Sequence, residues 1–421
     1  MKILVLGSGA REHAIILALA GEGAGHEVFA ASGNAGIARD ATIVDVDMLD
    51  GAAVSSFANE NGIGLVVIGP EAPLVAGVAD ELRERGIPVF GPGKAAAQLE
   101  GSKGFAKRIM DEANVPTGRA ARAASADEVA AALDEFGAPY VVKADGLAAG
   151  KGVIVTEDRA AALAHAEEYL PGGPVLIEEF LSGPEVSLFF LSDGDTVRAL
   201  SPAQDFKRAL DGDEGPNTGG MGAYSPLPWL ADSFGDEAAF VDEVTNTIAM
   251  PVIRQLDAEG TPFIGLLYAG LIITDDGVKV IEFNARFGDP ETQIVLPRLE
   301  TPLSQLLLAA ANGTLEDQPA PTFSDEVAVT VVLASEGYPE APVKGREITG
   351  LADAEAVEGV HIAHAATAER DGALTATGGR VLNVVARGAD IAQARARAYE
   401  AMERIGLEGG QFRTDIAAKA A

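Results

Sequence analysis

The chain has 421 residues, of which 48% are hydrophobic, so it can bury sizeable cores, and its length predicts about two to four domains. Lys and Arg number 31 and Asp and Glu number 63, which gives a formal net charge of -32. This charge repels nucleic acids and anionic membranes, so we expect neither as a partner, and local donors must bind any anionic small substrate. The excess of carboxylates fits life at high salt and a composition bias equally well.

Cysteine is absent, which excludes disulfides, thiolate metal sites and a cysteine nucleophile and suits a reducing compartment. No run of about 18 apolar residues is present, and residues 1–5 enter a strand directly without the layout of a signal peptide. We expect a cytoplasmic protein that acts on small molecules as a monomer.

The first element is a buried parallel strand predicted at 3–6, followed by the sequence G-S-G-A-R-E-H at 7–13 and a helix to about Ala20. A Gly-rich turn before a helix is typical of an anion site, because free N–H groups and the helix dipole both favour phosphate. A dinucleotide fingerprint would have its third glycine where Glu12 stands, and no acidic strand end follows at the usual distance. Phosphate binding is the preferred interpretation, with NAD binding as the weaker alternative.

Short strands at 28–31, 43–46, 65–68 and 89–90, each followed by a helical stretch, predict a doubly wound parallel sheet in a domain over residues 1–101. Ligands of such sheets bind beyond the C-terminal ends of the strands, where loops 7–13, 32–36 and 69–74 are expected. Ordinary turn chemistry explains these loops as well as ligand binding does, so the roles of Asn34 and Glu71 stay open at this point.

Two lysines mark the next region. Ser102 is a good N-cap for a helix through Met110, in which Lys103 alone could be a solvated residue. A strand at 140–143 ends in Lys143, however, and leads into a loop with glycines at 146, 150 and 152. The pattern predicts a mobile loop whose amides cover phosphates, with Lys143 and Lys151 supplying positive charge. The spacing of a Walker A motif fails here, so a different nucleotide fold is implied.

A strand at 175–177 is followed by E-E-F-L at 178–181, a turn, and Glu185 at the start of another strand. In a cleft, such a segment can offer backbone groups to an adenine edge and a carboxylate to a ribose, although a hairpin with a solvated acidic corner has the same sequence pattern. The Gly-rich segment at 215–224 then predicts a loop that closes over a small ligand.

The densest cluster of functional residues is I-E-F-N-A-R-F-G-D-P-E at 281–291, on the return strand of a hairpin whose turn is D-D-G at 275–277. Glu282 and Asn284 should project to one face, as two hard oxygen donors suited to Mg²⁺ beside nucleotide phosphates. Arg286 would face the adjacent anion, and Asp289 lies in a loop free to face a ligand. The alternative for Glu282 by itself is a solvated strand end.

After about Phe323, strands near 327–333, 360–363, 374–375 and 381–385 and a helix at 389–405, with Ala, Arg and Glu on its exposed face, predict a small α+β domain. Arg380 could reach a substrate or belong to a structural turn.

Seven motifs in this order resemble the phosphoribosylamine-glycine ligase (glycinamide ribonucleotide synthetase) family of ATP-grasp enzymes in purine biosynthesis. They are G-S-G-A-R-E-H at 7–13, S-G-N-A-G at 32–36, G-P-E-A-P-L at 69–74, L-E-G-S-K at 99–103, V-K-A-D-G-L-A-A-G-K-G at 142–152, G-P-N-T-G-G-M-G-A-Y at 215–224 and I-E-F-N-A-R-F-G-D-P-E-T-Q at 281–293. The resemblance implies an α/β and α+β multidomain fold: an N-terminal domain, an ATP-grasp domain at 102–325 with a mobile lid at about 118–190, and a C-terminal α+β domain at 326–421. It also implies ligation of glycine to 5-phosphoribosylamine, with ATP consumed and a glycyl phosphate as intermediate.

The resemblance also implies roles for individual residues. ATP would be bound by Lys103, Lys143, Gly146, Gly150, Lys151, Gly152, Glu178, Glu179, Phe180, Leu181 and Glu185. Glu282 and Asn284 would bind Mg²⁺ or Mn²⁺, and Arg286, Lys143 and Asp205 would be catalytic. The substrates would meet Gly9, Arg11, Asn34, Glu71, Asp205, Lys207, Gly220, Met221, Arg286 and Asp289.

Three positions depart from the family pattern: Ala10 replaces a glycine, Phe206 stands where His is common, and Ala285 takes a usual Cys position. A further metal carboxylate on the strand before Glu282, common in ATP-grasp enzymes, is not evident, so the number of metal ions stays open. Two rival hypotheses are a different carboxylate-amine ligase of the same fold and a non-catalytic nucleotide-binding protein.

Overall fold

A computed structural model describes residues 1–146 and 152–421. The predicted sites at Gly150 and Lys151 lie outside the described residues. No helix in the described part of the chain is long and apolar enough to cross a membrane. The predicted class, α/β and α+β with an N-terminal parallel sheet, is confirmed.

The N-terminal region is a five-stranded parallel sheet with helices against it. Its strands, in spatial order, are Thr42–Val44, Glu27–Ser32, Lys2–Gly7, Leu65–Ile68 and Val89–Phe90. The helices are Ala10–Gly21, Ile37–Asp40, Gly51–Asn61, Glu71–Ala76, Val78–Glu84 and Gln98–Gly101. The central strand is buried almost throughout because both faces are covered, which is why its sequence is a continuous apolar run.

The second region has a small hydrophobic core of its own around Leu133, Val142 and Ile177. Its antiparallel sheet has the spatial order Ala120–Ala123, Val175–Glu178, Tyr140–Ala144 and Val153–Thr156, with helices Ala126–Phe136 and Arg159–Tyr169. Helix Lys103–Glu112 leads into this region, and the Ser102 hydroxyl accepts the Phe105 N–H at 3.1 Å, as its predicted N-cap role requires.

A second antiparallel sheet contains strand Gly277–Asn284, which carries the predicted metal ligands Glu282 and Asn284. Its strands, in spatial order, are Val197–Ala199, Glu185–Asp193, Ile264–Thr274 and Gly277–Asn284. The helices of this region are Ala231–Phe234, Glu237–Val244, Met250–Ala258, Thr292–Val295 and Leu303–Ala311, with a π-helical turn at Thr245–Ala249. The predicted hairpin turn is present, and Gly277 has a φ of 110°, a conformation that favours glycine.

The C-terminal sheet contains strands from two distant parts of the chain. Its order is Gln204–Asp205, Gly222–Ser225, Val327–Ala334, Arg380–Gly388 and Val360–His364, all antiparallel. Shorter strand pairs are Arg208–Leu210 with Glu214–Asn217, Ile348–Thr349 with Gly406–Leu407, and Thr367–Arg370 with Ala373–Ala376. Because the first two strands precede residue 326, this sheet spans the predicted domain boundary; the division into domains stays a prediction.

Helices Leu351–Glu355 and Ile391–Met402 complete this region. The expectation that alanines lie on the exposed face of the last helix was wrong for Ala394, Ala398 and Ala401, which are fully buried. Small side chains allow the helix to pack closely on the sheet, so here alanine belongs to the buried face.

Arg298 joins the central and C-terminal regions through a buried set of hydrogen bonds. Its Nη1 donates to Ser201 Oγ at 2.6 Å and to Ser225 Oγ at 2.7 Å, and its Nε donates to the Glu326 carbonyl at 2.7 Å. We expect Arg298→Met to destabilise the protein by about 3 kcal/mol, because buried acceptors lose their donor. Urea unfolding of the purified variant measures this change.

The matched control is Arg387→Met, which removes a half-exposed ion pair with Glu326 at 2.9 Å. An exposed ion pair contributes about 0.5 kcal/mol, so this variant should unfold close to wild type. Equal midpoints for the two variants would contradict the structural role of Arg298.

Candidate active site

One cleft of about 1690 Å³ is lined by residues from all four regions. It opens at the C-terminal ends of the N-terminal parallel strands, where ligands of such sheets bind. Most of the predicted site residues line it, including Gly9, Gly146, Gly152, Phe180 and Leu181.

The loop after the first strand is built around Glu12, whose residue is 1% exposed. Its Oε2 accepts the Gly9 N–H at 2.6 Å, and its side chain fills the space beside Gly7 and Gly69, where a Cβ would overlap it. The carboxylate thus occupies a place that the third glycine of a dinucleotide fingerprint would leave open, which disfavours the NAD alternative. Arg11 pairs with Glu12 and donates to the Phe287 carbonyl at 3.2 Å, so it lies at the cleft wall.

Asn34 does not line the cleft, contrary to its predicted substrate contact. Its Nδ2 donates to the carbonyls of Ser8 and His364 at 2.9 and 2.7 Å. Its Oδ1 accepts the N–H groups of Gly36 and Ile37, each at 2.9 Å. All hydrogen-bonding capacity of the amide is used within the protein, so the side chain joins the N-terminal loop to the C-terminal region instead.

Three lysines form the cationic side of the cleft. Lys143 Nζ lies 3.0 Å from Glu178 Oε2 and donates to the Ile281 carbonyl at 3.2 Å. Lys103 Nζ donates to the Gly146 carbonyl at 3.1 Å, and burial lowers its pKa although Glu282 opposes the shift. The third lysine, Lys107, was not predicted from the sequence, and its Nζ lies 3.5 Å from Glu178 Oε2. Its position four residues after Lys103 on a helix was the available signal, because such residues share a face.

Of the predicted adenine segment, Glu178 and Glu179 have their carboxylates paired within the protein. Glu178 Oε2 forms ion pairs with Lys143 and Lys107. Glu179 Oε2 accepts a hydrogen bond from Arg119 Nε at 2.9 Å. Sequence could not distinguish these pairs from nucleotide contacts, because Arg119 lies 60 residues away in the chain. Phe180 is 45% exposed at the cleft.

Glu282 and Asn284 both line the cleft, as their spacing predicts. Burial would raise the pKa of Glu282, but the positive charges of Lys207, Lys143, Lys103 and Arg286 lower it, so the carboxylate stays ionised. Gly270 is the strand partner of Glu282, so that position on the preceding strand offers no metal carboxylate. Within residues 1–146 and 152–421, no group of three or more His, Cys, Asp or Glu could hold a metal ion.

Arg286 lies between two carboxylates. Its Nη2 is 3.0 Å from Glu100 Oε1, and its Nε is 3.7 Å from Glu71 Oε2. Glu100 Oε2 also accepts the Ala285 N–H at 2.8 Å, which fixes the end of strand Gly277–Asn284. Burial raises the pKa of Glu100 against the opposing charge of Arg286. Glu100 is a site residue that the sequence analysis quoted only as part of a motif.

Asp205, Lys207 and Glu185 form a charged group at the other side of the cleft. Lys207 Nζ lies 2.7 Å from Glu185 Oε2, so the carboxylate predicted for the ribose here pairs with a lysine. Burial raises the pKa of Asp205 to about 7, against the opposing charge of Lys207. Burial would lower the pKa of Lys207, but the carboxylates of Asp205 and Glu185 raise it well above its ordinary value.

Gly220 and Met221 lie behind the cleft wall, and Met221 is 1% exposed, so their predicted substrate contacts find no support in this geometry. Gly219 lines the cleft instead, held by Arg380, which also donates to the Asp289 carbonyl at 2.8 Å. Arg380 Nη2 is 3.2 Å from Asp289 Oδ2. Arg380 therefore lies at the cleft, where a substrate could reach it, and it also has the structural contacts that the other alternative predicts.

Models of the phosphoribosylglycinamide synthetase family match nearly the whole chain: the N domain at residues 1–100, the ATP-grasp (A) domain at 101–292 and the C domain at 328–419. The chain belongs to this family. A phosphoribosylamine-glycine ligase of Leifsonia xyli is 71% identical over 100% of both chains, and one of Streptomyces coelicolor is 59% identical, also over 100% of both.

A solved structure supports the same assignment. The crystal structure of a phosphoribosylamine-glycine ligase from Thermotoga maritima superposes with a TM-score of 0.84, at 35% identity, over 99% of this chain and 100% of that one. The resemblance inferred from the seven motifs is confirmed, and as an ATP-grasp ligase of this family the chain is an enzyme that uses ATP and small-molecule substrates.

The raised pKa of Asp205 predicts a dependence of stability on pH in the ligand-free protein. Between pH values near 4 and 7 the folded state holds a proton that the unfolded state has lost, so the free energy of unfolding falls as pH rises through this window. In Asp205→Asn this loss is absent, and the variant should gain about 4 kcal/mol relative to wild type between pH 4 and 8, because a rise of the pKa from 3.8 to about 7 corresponds to this free energy.

Urea unfolding at several pH values tests this expectation. Asp232→Asn, at an exposed aspartate, is the control and should follow the wild-type curve. A constant difference between Asp205→Asn and wild type across the pH range would show that Asp205 titrates normally.

Proposed function

We propose that the chain joins glycine to 5-phosphoribosylamine with ATP, giving glycinamide ribonucleotide, ADP and phosphate in purine biosynthesis. The carrying observation is that one cleft gathers the lysines, the Glu282 and Asn284 pair and Arg286 in a chain of this family. Acyl phosphate chemistry needs positioning and charge neutralisation more than a protein nucleophile, which this donor set suits.

The ATP subsite lies at the lysines. Lys103 and Lys143 bind the phosphates, and Gly146 and Gly152 line the cleft beside them. Adenine binds at residues 178–181 through the backbone and the apolar side chains of Phe180 and Leu181, because the carboxylates of Glu178 and Glu179 have partners. Glu185 reaches the ribose hydroxyls from the position in which Lys207 holds it.

Glu282 and Asn284 hold the divalent cation, Mg²⁺ or Mn²⁺. An ionised carboxylate and an amide oxygen are hard donors that fit such an ion when phosphates complete its coordination. When bound, the ion neutralises phosphate charge and orients the transferring group. Lys207, Lys143 and Lys103 keep Glu282 ionised and ready to bind it.

The reaction has two steps. A glycine carboxylate oxygen takes the γ-phosphoryl group and ADP leaves; the amine of phosphoribosylamine then attacks the acyl carbon, and phosphate leaves as the carbon–oxygen bond breaks. Arg286 neutralises the charge of the acyl phosphate. The carboxylates of Glu71 and Glu100 hold the Arg286 side chain in position for this role. Asp205, with a pKa of about 7, accepts the proton that the amine loses, and Lys207 and Asp289 complete the glycine pocket.

Phosphoribosylamine binds at the C-terminal ends of the parallel strands, near the Gly9 amide, Arg11 and Glu71. Asn34 contributes by fixing the loop rather than by direct contact. We also propose that the enzyme acts as a monomer in the cytoplasm.

The first test is ADP release by the purified protein with Mg²⁺, ATP and phosphoribosylamine while the acid is varied. Glycine should start turnover, and bicarbonate or other amino acids should not. Turnover with a different acid would replace this proposal with another carboxylate-amine ligase.

A second test is Arg286→Ala. We expect kcat to fall about 10³-fold while ATP affinity stays near wild type, because Arg286 stabilises charge that develops at the acyl phosphate. Equilibrium binding of a fluorescent ATP analogue and steady-state turnover measure the two quantities. Glu326→Gln, at a half-exposed carboxylate far from these residues in the chain, is the control. A protein that only binds nucleotide would have no glycine-dependent activity to lose.

A further inference from the structure

The last residues of the chain line the active cleft, although no motif assigns them a role. Asp415 and Lys419 face it, together with Arg208, Asp213 and Asn217 of the strand pair at 208–217. We call this strand pair the cover hairpin. It follows directly after Asp205 and Lys207, so its position bears on the glycine pocket.

Arg413 bonds the C-terminal tail to the cover hairpin. Its side chain is fully buried, with Nη1 at 2.9 Å from Asp213 Oδ1 and donating to the Arg208 carbonyl at 3.2 Å. Its Nε and Nη2 donate to the two oxygens of Asp415 at 2.7 and 2.6 Å. A guanidinium with a bidentate partner has a fixed plane, so both carboxylates are held in one geometry.

The hairpin turn is bonded to the tail at two further points. Thr414 N–H donates to Asp211 Oδ1 at 2.8 Å, and Gly212 N–H donates to Asp415 Oδ2 at 2.9 Å. We call residues 211–213 and 413–415 together the clasp. Burial would raise the pKa of Asp415, but the hydrogen bonds from Arg413 and Gly212 lower it to about 2, so the clasp stays charged at neutral pH.

Side chains of the last helix, Ile391–Met402, form hydrogen bonds with the tail. Tyr399 Oη donates to the Arg413 carbonyl at 2.8 Å, and Arg395 Nε donates to the Ile416 carbonyl at 3.0 Å. Ile416 itself is fully buried. The tail is therefore part of the packed C-terminal region and can hold the hairpin in place.

Arg413 also contacts the segment that carries the glycine pocket. Its guanidinium carbon lies 5.1 Å from the ring centre of Phe206, a cation–π contact. Phe206 stands between Asp205 and Lys207 in the chain. In this chain an aromatic ring thus connects the clasp to the two charged residues on either side.

We propose that Arg413 is a positioning residue for the glycine pocket, which it fixes through the clasp and through Phe206. The inference rests on the proposed function, because that function assigns Asp205 and Lys207 to glycine. Loss of Arg413 frees the cover hairpin and the ring, and the two charged side chains then lose their fixed approach to the cleft. The phosphate and adenine parts of the ATP subsite are built from other segments and keep their geometry, and only the ribose carboxylate Glu185, which pairs with Lys207, is affected.

The test is steady-state kinetics of Arg413→Met, Arg413→Lys and the double variant Asp211→Asn/Asp213→Asn. We expect the KM for glycine to rise about tenfold in Arg413→Met and the double variant, with the KM for ATP within about twofold of wild type. Arg413→Lys keeps the charge but not the bidentate geometry and should lie between. The double variant changes only exposed side chains and should fold, so it tests the role of the clasp even if Arg413→Met fails to fold.

Trp229 gives a second readout, because it is the only tryptophan of the chain. Its Nε1 donates to Tyr224 Oη at 2.9 Å, and the Tyr224 ring lies 6.3 Å from the Phe206 ring. Release of Phe206 should increase acrylamide quenching of Trp229 fluorescence. Asp276→Asn, at an exposed aspartate of another hairpin turn, is the matched control and should change neither quantity.

An unchanged KM for glycine and unchanged quenching in the double variant would overturn the role of the clasp. Equal rises in both KM values would overturn it as well, because they would show a general structural defect. Failure of the wild-type protein to release ADP with glycine is a separate result, which would contradict the proposed function itself.

Discussion

Arg286 keeps its charge inside the cleft because the carboxylates of Glu71 and Glu100 lie on either side of it. A buried guanidinium without partners would cost several kcal/mol, so the position of Arg286 at the end of strand Gly277–Asn284 depends on this pairing. Both carboxylates come from the N-terminal region, from helices Glu71–Ala76 and Gln98–Gly101, so Arg286 joins that region to strand Gly277–Asn284. The proposed reaction uses a positive charge there, and the fold stabilises this charge before any substrate binds.

The same principle governs the rest of the cleft. A chain with a net charge of -32 must bind a triphosphate, which a uniform surface of this charge would repel. Lys207, Lys143, Lys103 and Arg286, from separate segments of the chain, surround Glu282 and keep it ionised. Each cation has a carboxylate or carbonyl partner within the protein. When a ligand binds, these cations therefore exchange protein partners for ligand oxygens, since none of them is unpaired beforehand.

Much of the site could be predicted because its residues act through local chemistry. Ser102 caps its helix, and Glu282 and Asn284 share a face, because spacing along a helix or strand fixes these relations. Asn34 and Glu179 were harder. Both have side chains suited to ligands, and both are instead bonded to protein groups far away in sequence, such as His364 and Arg119. Met221 belongs to a motif, yet its side chain points into the core.

The sequence by itself determined the fold class, the family and the segments that line the cleft, because local patterns and ordered motifs carry that information. Only the tertiary structure decided which charges pair. Glu100 accepts the Ala285 N–H across a separation of 185 residues and pairs with the next residue, Arg286. Arg413 likewise meets Asp213 and Phe206 from the far end of the chain. Coulomb energies and hydrogen bonds depend on distances of a few ångströms, and no sequence pattern records distances between segments so far apart.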